Sequence, residues 1–332
     1  MKKKLYLHIG PHKTGSTYIQ KRFFDDQEEI KSFGYAYPAT CLEPLWGHHK
    51  LVEAFQRGDT QELGDIKADF AKYSENLIIS SENFDRLDEQ QIESVRTLFS
   101  NYDIHIIYVK RRADDLIVSS WQESIKHGGM QSWQSYIFQH TVRPFSSEVI
   151  NACRVLDRFK AVFGRDSISI IDFDGVKREN RDLFIEFKNL IGLKEWEKPV
   201  SKSQVNRSMP YWKAEIIRGL NALFCAEGQA ASAKIRTAFL DYFSERQDTC
   251  NSLATLKKKI SAQCSPISFL DSYIFHALDK SFRERYQDRV CVPPFVEHRH
   301  SLNQYKLPND TWMFDSESME HLKLIKSRLS IG

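Results

Sequence analysis

Eight residues near the start of the chain, Gly10, Pro11, His12, Lys13, Thr14, Gly15, Ser16 and Thr17, have the types and spacing of an anion-binding loop. They follow an apolar run over 5–9 and open a helical pattern over 17–24. In that context backbone N–H groups and a helix N-terminus form a cradle for phosphate. The spacing fits G-x-x-x-x-G-[KS]-[ST], except that Ser16 stands where a nucleoside triphosphatase needs its lysine. The lysine has moved inside the loop, to Lys13. A triphosphatase lysine reaches the β- and γ-phosphates while a hydroxyl holds magnesium. A lysine at position 13 instead suits the first phosphate of a ligand and the atom bonded just beyond it.

The charge distribution agrees with a compact polyanion. Net charge is only +3, from 47 basic and 44 acidic residues, unlike the strongly basic domains that coat nucleic acid. Residues 1–22 nevertheless hold Lys2, Lys3, Lys4, Lys13, Lys21 and Arg22 and no acidic residue. Lys110, Arg111 and Arg112 form a second basic cluster. Two local basic sites in a balanced chain point to a small anionic ligand.

The elements that must position these residues read as strands alternating with helices. Apolar, β-branched runs over 5–9, 77–81, 103–109 and 167–173 are strand-like, and amphipathic stretches such as 88–100 and 114–126 lie between them. Such alternation implies βαβ crossovers and a mostly parallel sheet, covered on both faces. Beyond Pro199 the pattern becomes helical over 210–225, 230–246, 253–263 and 268–285, without convincing strands, and 301–315 reads as irregular. We therefore expect an α/β core over 1–200 and a helical region over 201–332 packed on it.

The 332 residues, 41% hydrophobic and 27% charged, describe a soluble globular protein of one large domain or two coupled ones. Mean hydropathy is −0.48, and no stretch approaches the roughly 18 apolar residues of a membrane span. The basic start resembles a signal peptide, but its apolar run ends sooner than the roughly 7–15 residues such a segment needs. A cytoplasmic location is the resulting expectation. Cys41, Cys153, Cys225, Cys250, Cys264 and Cys291 are scattered without metal spacing, and we expect reduced, mostly buried thiols.

The loop resembles that of the sulfotransferases that use 3′-phosphoadenosine 5′-phosphosulfate, whose 5′-phosphosulfate loop reads P-x-K-T-G-[ST]-[ST]. Pro11, His12, Lys13, Thr14, Gly15, Ser16 and Thr17 fit it throughout. Tyr18, Ile19 and Gln20 continue the helix much as in bacterial carbohydrate-type members. The resemblance implies a P-loop three-layer α/β fold with a mostly parallel central sheet and a helical C-terminal region. It implies that Lys13 neutralises the bridging oxygen as the sulfuryl group leaves, while Thr14, Gly15, Ser16 and Thr17 hold the 5′-phosphate. The family's second signature, a strand-end arginine and a serine eight residues on, binds the 3′-phosphate. Arg111 with Ser119 has that spacing, and Arg112 with Ser120 has it one residue later. Ala113 stands where the family usually has proline.

Sulfuryl transfer to a hydroxyl needs a group that takes the acceptor proton. Glu82 follows the strand over 77–81, at the sheet edge where ligands of open α/β sheets bind, and matches the glutamate base of carbohydrate-type members. His48 and His49 are the rival bases. Trp46, Trp133, Trp212, Arg143 and 126–130 are candidates for an acceptor cleft, and Asn206 and Ser208 for nucleotide contacts. The expected activity is metal-free, in-line transfer from that donor to a hydroxyl, on a sugar of a glycan or glycolipid. The competing readings are a P-loop kinase or triphosphatase with a displaced lysine, and a non-catalytic binding or scaffold protein that keeps the fold without turnover.

Overall fold

The computed structural model describes residues 2–43, 46–197, 209–230, 232–244, 251–269, 272–292 and 305–329. The chain divides into two compact units, each assembled from three stretches. The first takes Met1–Ala113, Phe145–Val205 and Ala277–Glu297, and the second Asp114–Pro144, Asn206–His276 and His298–Gly332.

The first unit is built on a six-stranded, wholly parallel sheet. Its strands are β1 (Lys3–His8), β2 (Tyr35–Ala36), β3 (Asn76–Ser80), β4 (Tyr102–Lys110) and β5 (Ile168–Asp172). The sixth, β7 (Val290–Val292), lies after the short β6 (Cys264–Ile267) of the second unit in chain order. The spatial order is β2-β3-β1-β4-β5-β7, so β1 lies between β3 and β4. His8 at the top of β1 is level with Ser80 on β3 and with Ile107 on β4.

Alternation along the strands builds two apolar layers. Leu5, Leu7, Leu77, Ile79, Ile106 and Ile168 face helices His49–Arg57, Glu89–Leu98 and Ala152–Phe163. Tyr6, Ile78, Ile107 and Ile171 face the other way, where Ile19 and Phe23 of helix Ser16–Asp25 meet Phe184, Phe187 and Trp196. Cover on both faces explains why these strands read as nearly continuous apolar runs. Phe23 is fully buried among aromatic rings, with Phe184 at 4.9 Å and Tyr37 at 5.8 Å between centroids. Burial of such a side chain stabilises by about 1.5–3 kcal/mol.

The second unit is mainly helical, with helices Trp133–Thr141, Tyr211–Ala226, Ala233–Ser244, Asn251–Ala262 and Ser316–Lys326. A two-stranded antiparallel ribbon, β6 with β8 (Tyr305–Pro308), joins them. Gly219 permits close packing here, since a Cβ would stand 2.8 Å from Leu322 Cδ2 and 3.0 Å from Trp312 Cη2. Arg218 and Trp312 both donate to the buried Glu215, each at 2.7 Å.

Three strands after residue 199, β6, β7 and β8, correct the expectation that this part of the chain lacks them. Each is at most four residues long, and Pro266 within β6 argues locally against a strand. Residues 305–314, expected to be irregular, form β8 and a 3-10 turn over Asp310–Phe314. The cysteine expectation also needs correction. Of the described cysteines only Cys153 is buried, and Cys225 and Cys291 are exposed. No helix among the described residues is long and apolar enough to cross a membrane.

Candidate functional site

The loop after β1 is held open by backbone geometry that few residue types tolerate. Gly10 has φ +93°, and a Cβ on it would lie 3.0 Å from both the Cα and the carbonyl oxygen of Glu82. Lys13, at φ +66°, takes the left-handed conformation that costs a non-glycine residue of order 1 kcal/mol or more. Gly15, at φ +85°, opens helix Ser16–Asp25. The Gly10–Pro11 peptide is cis. Inside the loop the buried Thr14 hydroxyl donates to the Pro11 carbonyl at 2.6 Å. From outside, Arg111 Nη1 donates to the Lys13 carbonyl at 2.6 Å, and Val109 N–H donates to the Gly10 carbonyl at 3.0 Å.

This helix start carries no side-chain cap and no acidic residue in its first turn, so the positive end of the helix dipole is uncompensated by its own sequence. The Ser16 hydroxyl is buried and has no hydrogen-bond partner among the described residues. A buried polar atom without a partner costs about 1–3 kcal/mol. An anion at the helix start would relieve both deficits, so the loop fits a phosphate-type group on its own geometry.

Arg111 closes the other side. Its guanidinium lies 5.3 Å over the Phe173 ring, and Nε is buried with no hydrogen-bond partner among the described residues. Next to it, Arg112 N–H donates to Asp174 Oδ2 at 2.7 Å. Ser119 and Ser120 belong to the second unit, in helix Ala113–Lys126, where the Ser119 hydroxyl donates to the Asp115 carbonyl at 2.9 Å.

Glu82 starts a 3-10 turn, Glu82–Arg86, directly after β3. Its Oε2 accepts from Gln20 Nε2 at 2.9 Å, and its Oε1 lies 3.8 Å from His12 Nδ1. Burial pushes this carboxyl up, but His12, His49, a backbone N–H and the Gln20 amide outweigh it and hold Glu82 below the ordinary glutamate value. The group is therefore ionised at neutral pH, the state in which a carboxylate can take a proton. Gln20 also donates to Ser80 Oγ at 3.2 Å, and Ser80 Oγ contacts His8 Nδ1 at 2.7 Å.

His12 turns toward the 3-10 turn that carries Glu82. Its Nε2 is 3.0 Å from Asn83 Oδ1 and 3.3 Å from Arg86 Nη2. The two rival histidines separate clearly. His48 is fully buried, with Nε2–H donating to the Pro38 carbonyl at 2.9 Å and Nδ1 accepting from Ser80 N–H at 3.2 Å. Burial pushes it down to about 4, and with both nitrogens engaged it is a structural clamp. His49 faces the start of the 3-10 turn instead, with Nδ1 2.8 Å from Ser81 Oγ and 3.4 Å from Asn83 Nδ2.

Among the aromatic candidates, Trp46 sits at φ +65° with its carbonyl accepting from Tyr37 at 2.7 Å and Lys21 5.1 Å over its ring. Trp133 is 2% exposed and packs against Trp121 and Phe269, so it is core and lines no cleft. The ammonium groups of Lys213 and Lys257 lie 5.4 and 5.3 Å from the Trp212 ring centroid. Asn206 and Ser208 lie outside the described residues.

Gln20, Asn83 and Arg86 were missed in the sequence. Gln20 had a readable signal, a polar residue between Ile19 and Phe23 on the buried face of the first helix. Asn83 and Arg86 had none beyond their closeness to Glu82. No family model matches the chain, and no curated protein matches it either.

Proposed function

We propose that the protein is a sulfotransferase of P-loop architecture, moving a sulfuryl group from 3′-phosphoadenosine 5′-phosphosulfate to a hydroxyl of a carbohydrate acceptor. The observation that carries this reading is the convergence at Gly10–Ser16: an uncapped helix start, a buried Ser16 hydroxyl with no partner among the described residues, Arg111 on one side and Glu82 on the other. A lysine within the loop at position 13, and none at 16, favours this donor over a nucleoside triphosphate.

In this reading Pro11, His12, Thr14, Gly15, Ser16 and Thr17 enclose the 5′-phosphate, with Thr14 shaping the loop from within. Lys13 neutralises charge on the bridging oxygen as its bond to sulfur breaks. Glu82 takes the acceptor proton as the new S–O bond forms, and His49 borders it. Arg111 takes the 3′-phosphate through its buried Nε, which has no partner among the described residues. Fixed N–H dipoles and cations supply the charge stabilisation.

The test is a thermal-shift titration with 3′-phosphoadenosine 5′-phosphate in EDTA, beside ATP with magnesium. At a hundred times its dissociation constant a ligand adds about 2.7 kcal/mol, which moves the melting point by a few degrees. Stabilisation by the bisphosphate without metal supports the reading. Stabilisation only by ATP with magnesium replaces it with a kinase, and silence from both leaves a non-catalytic fold.

A further inference from the structure

We propose that Asn83 is a positioning residue that decides which ring nitrogen of His12 and of His49 carries the proton, and so keeps an imidazole N–H away from Glu82 Oε1. The consequence for Glu82 as a base rests on the transfer reading above; the tautomers themselves do not.

A carboxamide has two unlike ends, an oxygen that only accepts and a nitrogen that only donates. Asn83 presents Oδ1 to His12 Nε2 at 3.0 Å and Nδ2 to His49 Nδ1 at 3.4 Å. His12 must then carry its hydrogen on Nε2, and His49 must leave Nδ1 bare. Ser81 reinforces the second assignment. Its Oγ already accepts the Asn83 backbone N–H at 3.2 Å and lies 2.8 Å from His49 Nδ1, so its own hydrogen is available to that bare nitrogen.

Arg86 pulls His12 the opposite way. Its Nη2 is 3.3 Å from His12 Nε2, and a guanidinium has only donors. Were Arg86 to win that nitrogen, the ring hydrogen would move to Nδ1, which faces Glu82 Oε1 at 3.8 Å. The amide oxygen is the closer partner, so the proton stays on Nε2. The charged and titratable groups facing His12 are Glu82, Arg86 and His49, and burial is the largest influence, holding the ring below its ordinary value. His12 is accordingly neutral near pH 7, the state in which a tautomer is defined. Because Gln20 already donates to Oε2, Oε1 is the Glu82 oxygen that Asn83 keeps clear of a competing imidazole donor.

Histidine-selective 15N labelling with long-range proton–nitrogen correlation reads each tautomer in the whole protein, with His12→Gln and His49→Gln assigning the signals. At pH 8 both rings should show a bare Nδ1 and a protonated Nε2. Asn83→Ala should move the His12 proton to Nδ1 as Arg86 takes over, and the Glu82 carboxyl carbon should then titrate lower than in the parent. Asn83→Asp should keep His12 on Nε2 and turn His49 to Nδ1–H. Either variant should fold, because Asn83 is only half-buried and its backbone N–H keeps its Ser81 partner. A parent His12 protonated on Nδ1 overturns the proposal, as does a His12 tautomer or a Glu82 titration unmoved by Asn83→Ala. None of these readings uses nucleotide, so they stand apart from the bisphosphate titration on which the transfer reading depends.

Discussion

Gly10 lies against the backbone of Glu82 so closely that a methyl group in place of its hydrogen would stand 3.0 Å from two Glu82 backbone atoms. Donor loop and candidate base are thus spaced by the absence of a side chain. With φ at +93°, no other residue type is at ease there. Gly10→Ala should cost about 1–3 kcal/mol of stability and weaken 3′-phosphoadenosine 5′-phosphate binding. Urea unfolding and a bisphosphate titration check both, and a variant with parental values would remove Gly10 from the site.

Lys13→Ala should leave the fold intact, because it keeps the backbone carbonyl to which Arg111 donates. Transfer of labelled sulfate from the donor to a saccharide panel should fall by about a hundredfold or more. Unchanged turnover would sink the sulfotransferase assignment.

Acid should destabilise the protein through two fully buried histidines, His8 and His48. Burial holds His8 and His48 each at about 4 against an ordinary 6.5. Folded-state values lowered in this way give stability that is full above pH 6.5 and lost as pH falls toward 4. Each contributes on the order of 3 kcal/mol by the bottom of that range. Urea midpoints at pH 7 and 4.5 should differ, and by less in His48→Gln; an equal drop in both proteins refutes the assignment.

Asp85 acts with the opposite sign. Burial raises it to about 7, and Oδ1 has no partner among the described residues. A raised carboxyl destabilises the fold progressively as pH climbs from about 4 toward 7, where the unfolded chain has already ionised. Asp85→Asn should therefore match the parent near pH 4 and exceed it by a few kcal/mol at most above pH 7. Chemical denaturation at both pH values measures the difference, and no gain at the higher pH would show the carboxyl already compensated.

The parts of this architecture that the sequence displayed are those carried by local pattern. The apolar run into Gly10 announces β1 and its loop, and the runs ahead of Glu82 and Arg111 announce β3 and β4. What stayed hidden depends on distance along the chain. Tyr35–Ala36 and Val290–Val292 are strands only because a neighbour pairs with them, and neither is long enough to show alternation. The contacts of Glu82 with Gln20, and of Asn83 with His12, span 62 and 71 residues. His48 and His49, adjacent in sequence, part company because one side of the chain turns to the core and the other to the site.

The level alignment of His8, Ser80 and Ile107 has a practical consequence. Glu82 and Gly10 each stand two residues beyond that line, and Arg111 four beyond it, just past the end of β4. Their spacing is therefore fixed by interstrand hydrogen bonding in the sheet, where a slip of one residue would reverse every side chain. Connecting segments elsewhere can then be exchanged without retuning this trio. On the proposed function, grafting such segments is a route to new acceptors on an unchanged chemical engine.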